Sequence, residues 1–439
     1  MYLFFVRAFN DIDHMTPVVW KMSRDNCPVA VYCISPDYDI DNDYRLNFLK
    51  DLGVKVDFIY NDFDHELGLL HRLLRFLFLK SFAIGRKWNS VAQTSLVAFR
   101  KIFGQLAQQT GSRLFKLTRK RFYGRNWARR ILEQSGAQAL CFDHVQPTQY
   151  IVSSLLRAAE EMSVATLALP HGIYLYTNDL VKAGSTADTR YDKFHRYDYI
   201  VVQNKLRKEV LTGFGVEGEK IFVLGSARYC DEWMSQYSEI IPRMLKSDRG
   251  SGEKLKVVFM TTRPEYRIDV QRMLSTFDML SELDGIEVVV KPHTRTGKEA
   301  KVYENIPLAN VADFSSVELC EWADVVLVIG SSILIEPLKR GKPVLYLKYL
   351  HENITQYEGF GACWTIHNEA ELKAALLSLQ ENKASVPYKN ENVDRFLSEI
   401  INGGQDVRDV LKDYESFIVR SAANRTYKDI GRDLSATPK

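Results

Sequence analysis

The sequence predicts an α/β protein built from two Rossmann-like domains that face each other across a cleft. Three observations lead there. Short apolar runs alternate with helix-length amphipathic stretches, as in a parallel sheet covered by helices. The alternation stops at the polar stretch KSDRGSGEKLK (246 to 256), whose Gly, Ser and charge content reads as a linker, and then starts again. A length of 439 residues suits two or three domains of ordinary size.

In chain order, the first series of strands is expected at YLFFVRAF (2 to 9), PVAVYCIS (28 to 35), VKVDFIY (54 to 60), ALCFDH (139 to 144), ATLALPH (165 to 171), YIVVQN (199 to 204) and IFVLG (221 to 225). Helical patterns separate them, among them YRLNFLKDLG (44 to 53), closed by Gly53, and QYIVSSLLRAAEEM (149 to 162). The long interruption at about 66–135 reads as a basic helical insertion between the third and fourth strands. The second series is KVVFMTT (256 to 262), IEVVVKPH (286 to 293), DVVLVIG (324 to 330), PVLYLK (343 to 348) and CWTIH (363 to 367), with helices such as SILIEPLKRG (332 to 341) and EAELKAALLSLQ (369 to 380) between. The expected division is an acceptor-side domain over 1–245, a nucleotide-binding domain over 254–400 and a helical segment or tail over 401–439. The sequence leaves open whether that tail returns to the first domain.

The net charge of +3 conceals an asymmetry. Of 58 Lys and Arg, 15 fall in residues 71 to 130, which hold no Asp or Glu; the remaining 43 face 55 acidic residues, a balance of −12. That window also carries ten aromatics, and LLHRLLRFLFLKSF mixes Leu, Phe and basic residues as helices at a membrane interface do, although an inserted helical pair with a solvated basic face gives the same pattern. It lacks a nucleic-acid-binding signature, so nucleic acid is not expected as a partner. No apolar run is long enough for a membrane span and the first residues lack a signal-peptide pattern, so the protein is expected in the cytoplasm. Six scattered cysteines without a CxxC pair read as reduced core thiols.

Chemistry is expected at strand ends, where doubly wound sheets bind ligands. Leu169-Pro170-His171-Gly172 leaves a strand so that an imidazole faces the cleft while Gly allows a sharp turn. Asp143 and His144 end the preceding strand and offer a general base, or a helix cap. Gly225-Ser226-Ala227-Arg228 runs on to Asp231, Glu232 and Trp233 where the domains should meet, so Arg228 either holds an anionic substrate or pairs with Asp231. Lys291-Pro292-His293-Thr294-Arg295 brings three nitrogenous groups to one strand end, suited to a phosphate or carboxylate, and Thr261, Thr262 and Arg263 end the neighbouring strand. Gly330-Ser331-Ser332 precedes a helix whose N-terminus could hold a phosphate, with Glu336 one turn on, placed for a ribose. There is no P-loop, no GxGxxG after the first strand and no HExxH, and no DxD-type metal pair stands out at a strand end, which favours a nucleotide site that uses no metal or other cofactor.

Taken together, HG, KPH and GSS with a following Glu and GKPV resemble the motifs of GT-B glycosyltransferases of bacterial surface polysaccharide assembly, over roughly residues 130 to 350. LPHG, LGSARYxxEW and KPH with SS resemble above all the retaining β-Kdo transferases of O-antigen and capsule biosynthesis, although Thr294 stands where related motifs carry proline. The resemblance implies the GT-B fold and CMP-β-Kdo as donor. It implies that His293, Lys291, Ser331 and Ser332 hold the CMP phosphate, Glu336 the ribose and Arg228 the Kdo carboxylate. Asp231 would be the nucleophilic carboxylate of a retaining transfer, with Glu232 as its neighbour, and Asp143 or His144 would deprotonate the acceptor hydroxyl. A lipid-linked glycan acceptor at the anionic inner face of the cytoplasmic membrane would give the basic window a role. CDP-glycerol-type glycerophosphotransferases and sialyl-type CMP-sugar transferases share HG and SS features and are the alternatives.

Overall fold

The structure is a computed structural model that describes residues 1–35, 38–62, 123–143, 150–173, 196–244, 254–293, 302–303 and 305–423. Seven strands form the first sheet: β1 (Tyr2–Val6), β2 (Val29–Cys33), β3 (Lys55–Phe58), β4 (Ala139–Asp143), β5 (Ala165–Leu169), β6 (Tyr199–Val202) and β7 (Ile221–Val223). All pair in parallel, in the order β3-β2-β1-β4-β5-β6-β7. The second sheet holds β8 (Leu255–Met260), β9 (Ile286–Lys291), β10 (Ala309–Asn310), β11 (Val325–Val328), β12 (Val344–Leu347) and β13 (Trp364–Ile366), again all parallel, in the order β10-β9-β8-β11-β12-β13. Both sheets are therefore doubly wound, and the chain reverses direction between β1 and β4 in one and between β8 and β11 in the other. Every strand expected from the sequence is present. The two-residue β10 was not foreseen, because an exposed edge pair carries no apolar run.

Burial on both faces explains why the strand sequences read as unbroken apolar runs. Alternate β1 side chains enter opposite cores: Leu3 and Phe5 pack with Phe142 and Ile131, while Phe4 and Val6 face the helix Phe9–Arg24. That second core is continuous between the sheets, joining Trp233 and Tyr237 to Leu334 and Leu338. The six cysteines are free, and all but Cys27 are buried. No helix among the described residues is long and apolar enough to cross a membrane. Most of the basic window lies outside the described residues; its last part belongs to the helix Arg125–Ser135, which buries Trp127 and Ile131 and exposes Arg129 and Arg130.

The described part of the expected tail packs back on the first domain, while residues 424–439 lie outside the described residues. After the helix Asn390–Asn402, the helix Val410–Ala423 returns to the first sheet, where Phe417 meets Tyr199 edge-on at 5.7 Å and Phe222 at 4.6 Å. This return clamps the turn after β7. Tyr414 Oη donates to the Gly225 carbonyl at 3.0 Å, and the Ser226 amide donates to the Ile401 carbonyl at 2.7 Å. Gly225 has φ +81°, and a Cβ there would stand 2.1 Å from the Ile401 oxygen, so only glycine fits.

Candidate functional site

The carboxyl edges of both sheets border a cleft of about 320 Å³, within the range of small-molecule sites. Phe9, Asn10, Tyr44 and Arg228 line it from the first domain; Thr261, Lys291, His293, Ser331 and Ser332 line it from the second.

At the reversal point of the first sheet, four groups converge. Arg7 follows β1, Asp11 lies in the first turn of the helix Phe9–Arg24, Asp143 ends β4 and His171 follows β5. Arg7 bridges the two carboxylates, donating from Nε to Asp11 Oδ2 at 3.1 Å and from Nη2 to Asp143 Oδ2 at 2.8 Å. His171 Nδ1 bonds the same Asp143 oxygen and stands 3.4 Å from Asp11 Oδ1. Phe9 and Asn10, between Arg7 and Asp11 in the chain, place this cluster beside the cleft. Burial alone would favour the neutral imidazole, but the charges of Asp143 and Asp11 overcome it and raise His171 to about 9. Burial pushes Asp143 up, with Asp11 adding to it. Asp11 itself, despite its burial, is held below the usual carboxylate range by hydrogen bonds and the Arg7 charge. Asp11, Asp143 and His171 offer ligand atoms within 4.8 Å of one another, a spacing that could suit a metal ion, but the Arg7 guanidinium already bridges the carboxylates.

A second buried network holds Arg228. Its Nη1 pairs with Asp13, whose other oxygen accepts from Arg45 Nη1 at 2.8 Å; Arg45 Nη2 in turn meets Asp43 at 2.6 Å and the guanidinium stacks 3.9 Å over Phe9. His14, buried beside Arg228, is pushed down to about 3 by burial and that charge, and is neutral. Two atoms next to this network are buried without a hydrogen-bond partner: Arg228 Nε and Glu336 Oε2. Burial raises the Glu336 carboxyl, and its nearest cation is Arg340 at 3.7 Å.

On the facing edge, Lys291 is almost fully buried and its Nζ donates to the Ala312 carbonyl. Burial lowers it to about 8, against the pull of Asp313. Thr261 Oγ1 donates to the Lys291 carbonyl at 3.3 Å. Ser331 caps the turn Ser332–Leu334, accepting from the Ile333 amide at 3.4 Å, and the helix behind it spans only Ile335–Lys339. The expected helix N-terminus is thus a short 3-10 turn, with a weaker dipole than a full helix provides.

The sequence-derived candidates therefore separate. Arg228, Lys291, His293, Ser331 and Ser332 meet in the cleft, and Asp143 and His171 meet beside it. Glu336 lies buried behind Arg228, while Thr262 and Arg263 follow Thr261 without lining the cleft. His144, Thr294 and Arg295 lie outside the described residues. Asp231 and Glu232 do not reach the cleft. Asp231 opens the helix Asp231–Ile240 with its side chain 93% exposed and paired to Lys339, and Glu232 pairs with Arg24 and Lys21. Neither of the two carboxylates expected to act as or beside the nucleophile lines the cleft: Asp231 forms an exposed ion pair and the half-buried Glu232 a second one. Arg7, Asp11, Asp13 and Arg45 were not foreseen. The available signal was charge placed directly after an apolar strand, in RAFNDID, which the strand assignment to residue 9 partly absorbed.

No family model matches the chain, and no curated protein matches it in sequence. Solved structures do resemble it. A protein of Listeria monocytogenes described as a UDP-N-acetylglucosamine 2-epimerase superposes with a TM-score of 0.54 at 11% identity, covering 97% of each chain. The Methanocaldococcus jannaschii UDP-GlcNAc 2-epimerase, solved with UDP-GlcNAc and UDP, gives 0.51 at 14% identity, over 96% of this chain and 99% of its own. The glycotransferase of kitacinnamycin gives 0.52 at 12% identity, over 95% and 98%. At such identities the likeness shows the fold: two Rossmann-like domains in the GT-B arrangement.

Proposed function

We propose that this chain is a glycosyltransferase that moves Kdo from CMP-β-Kdo, with retention and without a metal ion, to a lipid-linked glycan at the inner face of the cytoplasmic membrane. The observation that carries this reading is the pairing of Arg228, whose Nε lacks a partner, with Lys291, His293, Ser331 and Ser332 across one cleft. A donor that joins a sugar carboxylate to a nucleoside monophosphate presents two anions a short distance apart. Arg228 suits the first and the Lys291 cluster the second.

The chemistry follows from charge. CMP leaves readily once its phosphate charge is met, which falls to the Lys291 ammonium, His293 and the serine hydroxyls. Glu336, expected to hold the ribose, is buried and does not line the cleft, so the reading leaves the ribose to other groups. The basic window is the part of the chain assigned to the anionic membrane surface, and it does not call for nucleic acid.

The deciding experiment is thermal unfolding with CMP, CDP and UDP, followed by a transfer assay with CMP-Kdo. Stabilisation by CMP together with transfer supports the reading. Stabilisation by CDP compounds alone turns it to a glycerophosphotransferase, CMP binding with transfer only from CMP-sialic acid to a sialyl-type enzyme, and stabilisation by UDP alone removes the CMP donor altogether.

A further inference from the structure

The pair formed by Asp143 and His171 could be read as a base for the acceptor hydroxyl. Its surroundings point the other way. Asp143 Oδ2 accepts from Arg7 Nη2 at 2.8 Å as well as from His171 Nδ1. The Arg7 guanidinium donating to this oxygen favours its ionised form, which places the proton of the bond to His171 on Nδ1. Charge counting agrees. Two buried carboxylates and one guanidinium leave one negative charge uncompensated, and burial makes such a charge costly unless His171 is protonated.

Among the described residues, every charged or titratable group facing the ring fits this state. Arg7 and Asp11 come from the start of the first helix and the loop before it, and Asp143 from β4. His14 lies near Gly172 and is itself neutral, so it does not compete for the proton. Tyr197 holds the Asp143 carbonyl from the far side at 3.5 Å. Nδ1 is committed to the carboxylates, and the His171 side chain is 29% exposed, the most accessible member of the cluster. Nε2 is the nitrogen left to meet a ligand.

We infer that His171 is an imidazolium that binds an anionic group of a substrate, a carboxylate or a phosphate, through Nε2, and that Arg7 and Asp11 are positioning residues acting through it. This site belongs to the first domain and stands whichever nucleotide the second sheet binds. Asp11 fixes the ring and adds to the field that keeps it charged; Arg7 keeps both carboxylates ionised and in register.

The test is a pH titration of the full chain with isotope-labelled histidine, His171 being assigned by the signal lost in His171→Gln. In the free protein its midpoint is expected near 9. Asp11→Asn should lower the midpoint by about one unit, as loss of a neighbouring opposite charge does. Addition of inorganic phosphate or of free Kdo should shift the His171 signal and raise its midpoint, and the response of one and not the other identifies which anion the site takes. Asp143→Asn should abolish the response. A wild-type midpoint at or below 6.5, the ordinary histidine value, overturns the inference, as does indifference to both anions. The wild-type titration decides even if a variant fails to fold, and because it needs no nucleotide, its failure is distinct from failure of the donor assignment.

Discussion

Tyr229 Oη donates to the Ser332 carbonyl at 3.2 Å, so the segment following the first sheet's last strand is bonded directly to the serine loop of the second. Lys339 Nζ reinforces the contact by donating to the Tyr229 carbonyl at 2.8 Å. Arg228, the residue before, is thereby fixed at the cleft, with its guanidinium 4.8 Å over the Tyr229 ring. The bond between the two domains and the placement of the cleft arginine are one feature.

Tyr229→Phe keeps the ring and removes the bond. The Ser332 carbonyl then loses a buried donor, and a loss of about 1 kcal/mol is expected, read as a lower midpoint of urea unfolding. An unchanged midpoint would show that the bond contributes nothing to holding the domains together.

Breaking the network behind Arg228 should cost far more. Arg45 is fully buried between Asp13 and Asp43, and Arg45→Met leaves the Asp43 charge without a cation and Asp13 with Arg228 alone, a loss of about 3 to 5 kcal/mol by the same measurement. Adding Asp43→Asn to that variant should recover part of it.

Lys291 carries a pH dependence. Burial holds it at about 8, so the ammonium proposed to meet the donor phosphate is lost as pH rises through that value, and on that proposal CMP affinity should fall between pH 7 and 9. Lys291→Met should weaken CMP at pH 7 by about 10- to 100-fold, the worth of a charged hydrogen bond, and flatten the pH response in calorimetric titration. A pH response that survives in the variant assigns it to another group.

His171 contributes to stability in a definite window. Its pKa is raised from the unfolded 6.5 to about 9, so the stabilisation is complete below 6.5 and is lost as pH rises through 9. The stability gap between wild type and His171→Gln should therefore be widest near pH 6 and narrow towards pH 9.

Asp143→Asn and Asp231→Ala separate the two carboxylates. Asp143→Asn disturbs the Arg7 and His171 contacts and should lose transfer. Asp231→Ala removes an exposed ion pair and should leave both transfer and CMP binding close to wild type. Loss of transfer in Asp231→Ala with CMP binding retained would restore the nucleophile role to Asp231.

The sequence by itself determined the fold class and half of the site. Runs such as VAVYC and DVVLVIG are apolar on both faces because both faces of a parallel sheet are covered, and that signal is local. Lys291, His293, Ser331 and Ser332 were legible for the same reason: they lie at or within a few residues of a strand's carboxyl end, and a parallel sheet puts all those ends on one edge. Only the tertiary structure decided the rest. Arg7 and Asp143 are 136 residues apart, and nothing in the neighbourhood of either shows that β1 and β4 lie side by side. Asp231, next to the legible Arg228, was turned outward by a single turn of backbone at the start of its helix. The terminal helix returned to the first sheet because its apolar face found Tyr199 and Phe222 there. Periodicity states that a side chain is to be buried; strand order and pairing over long separations state against what.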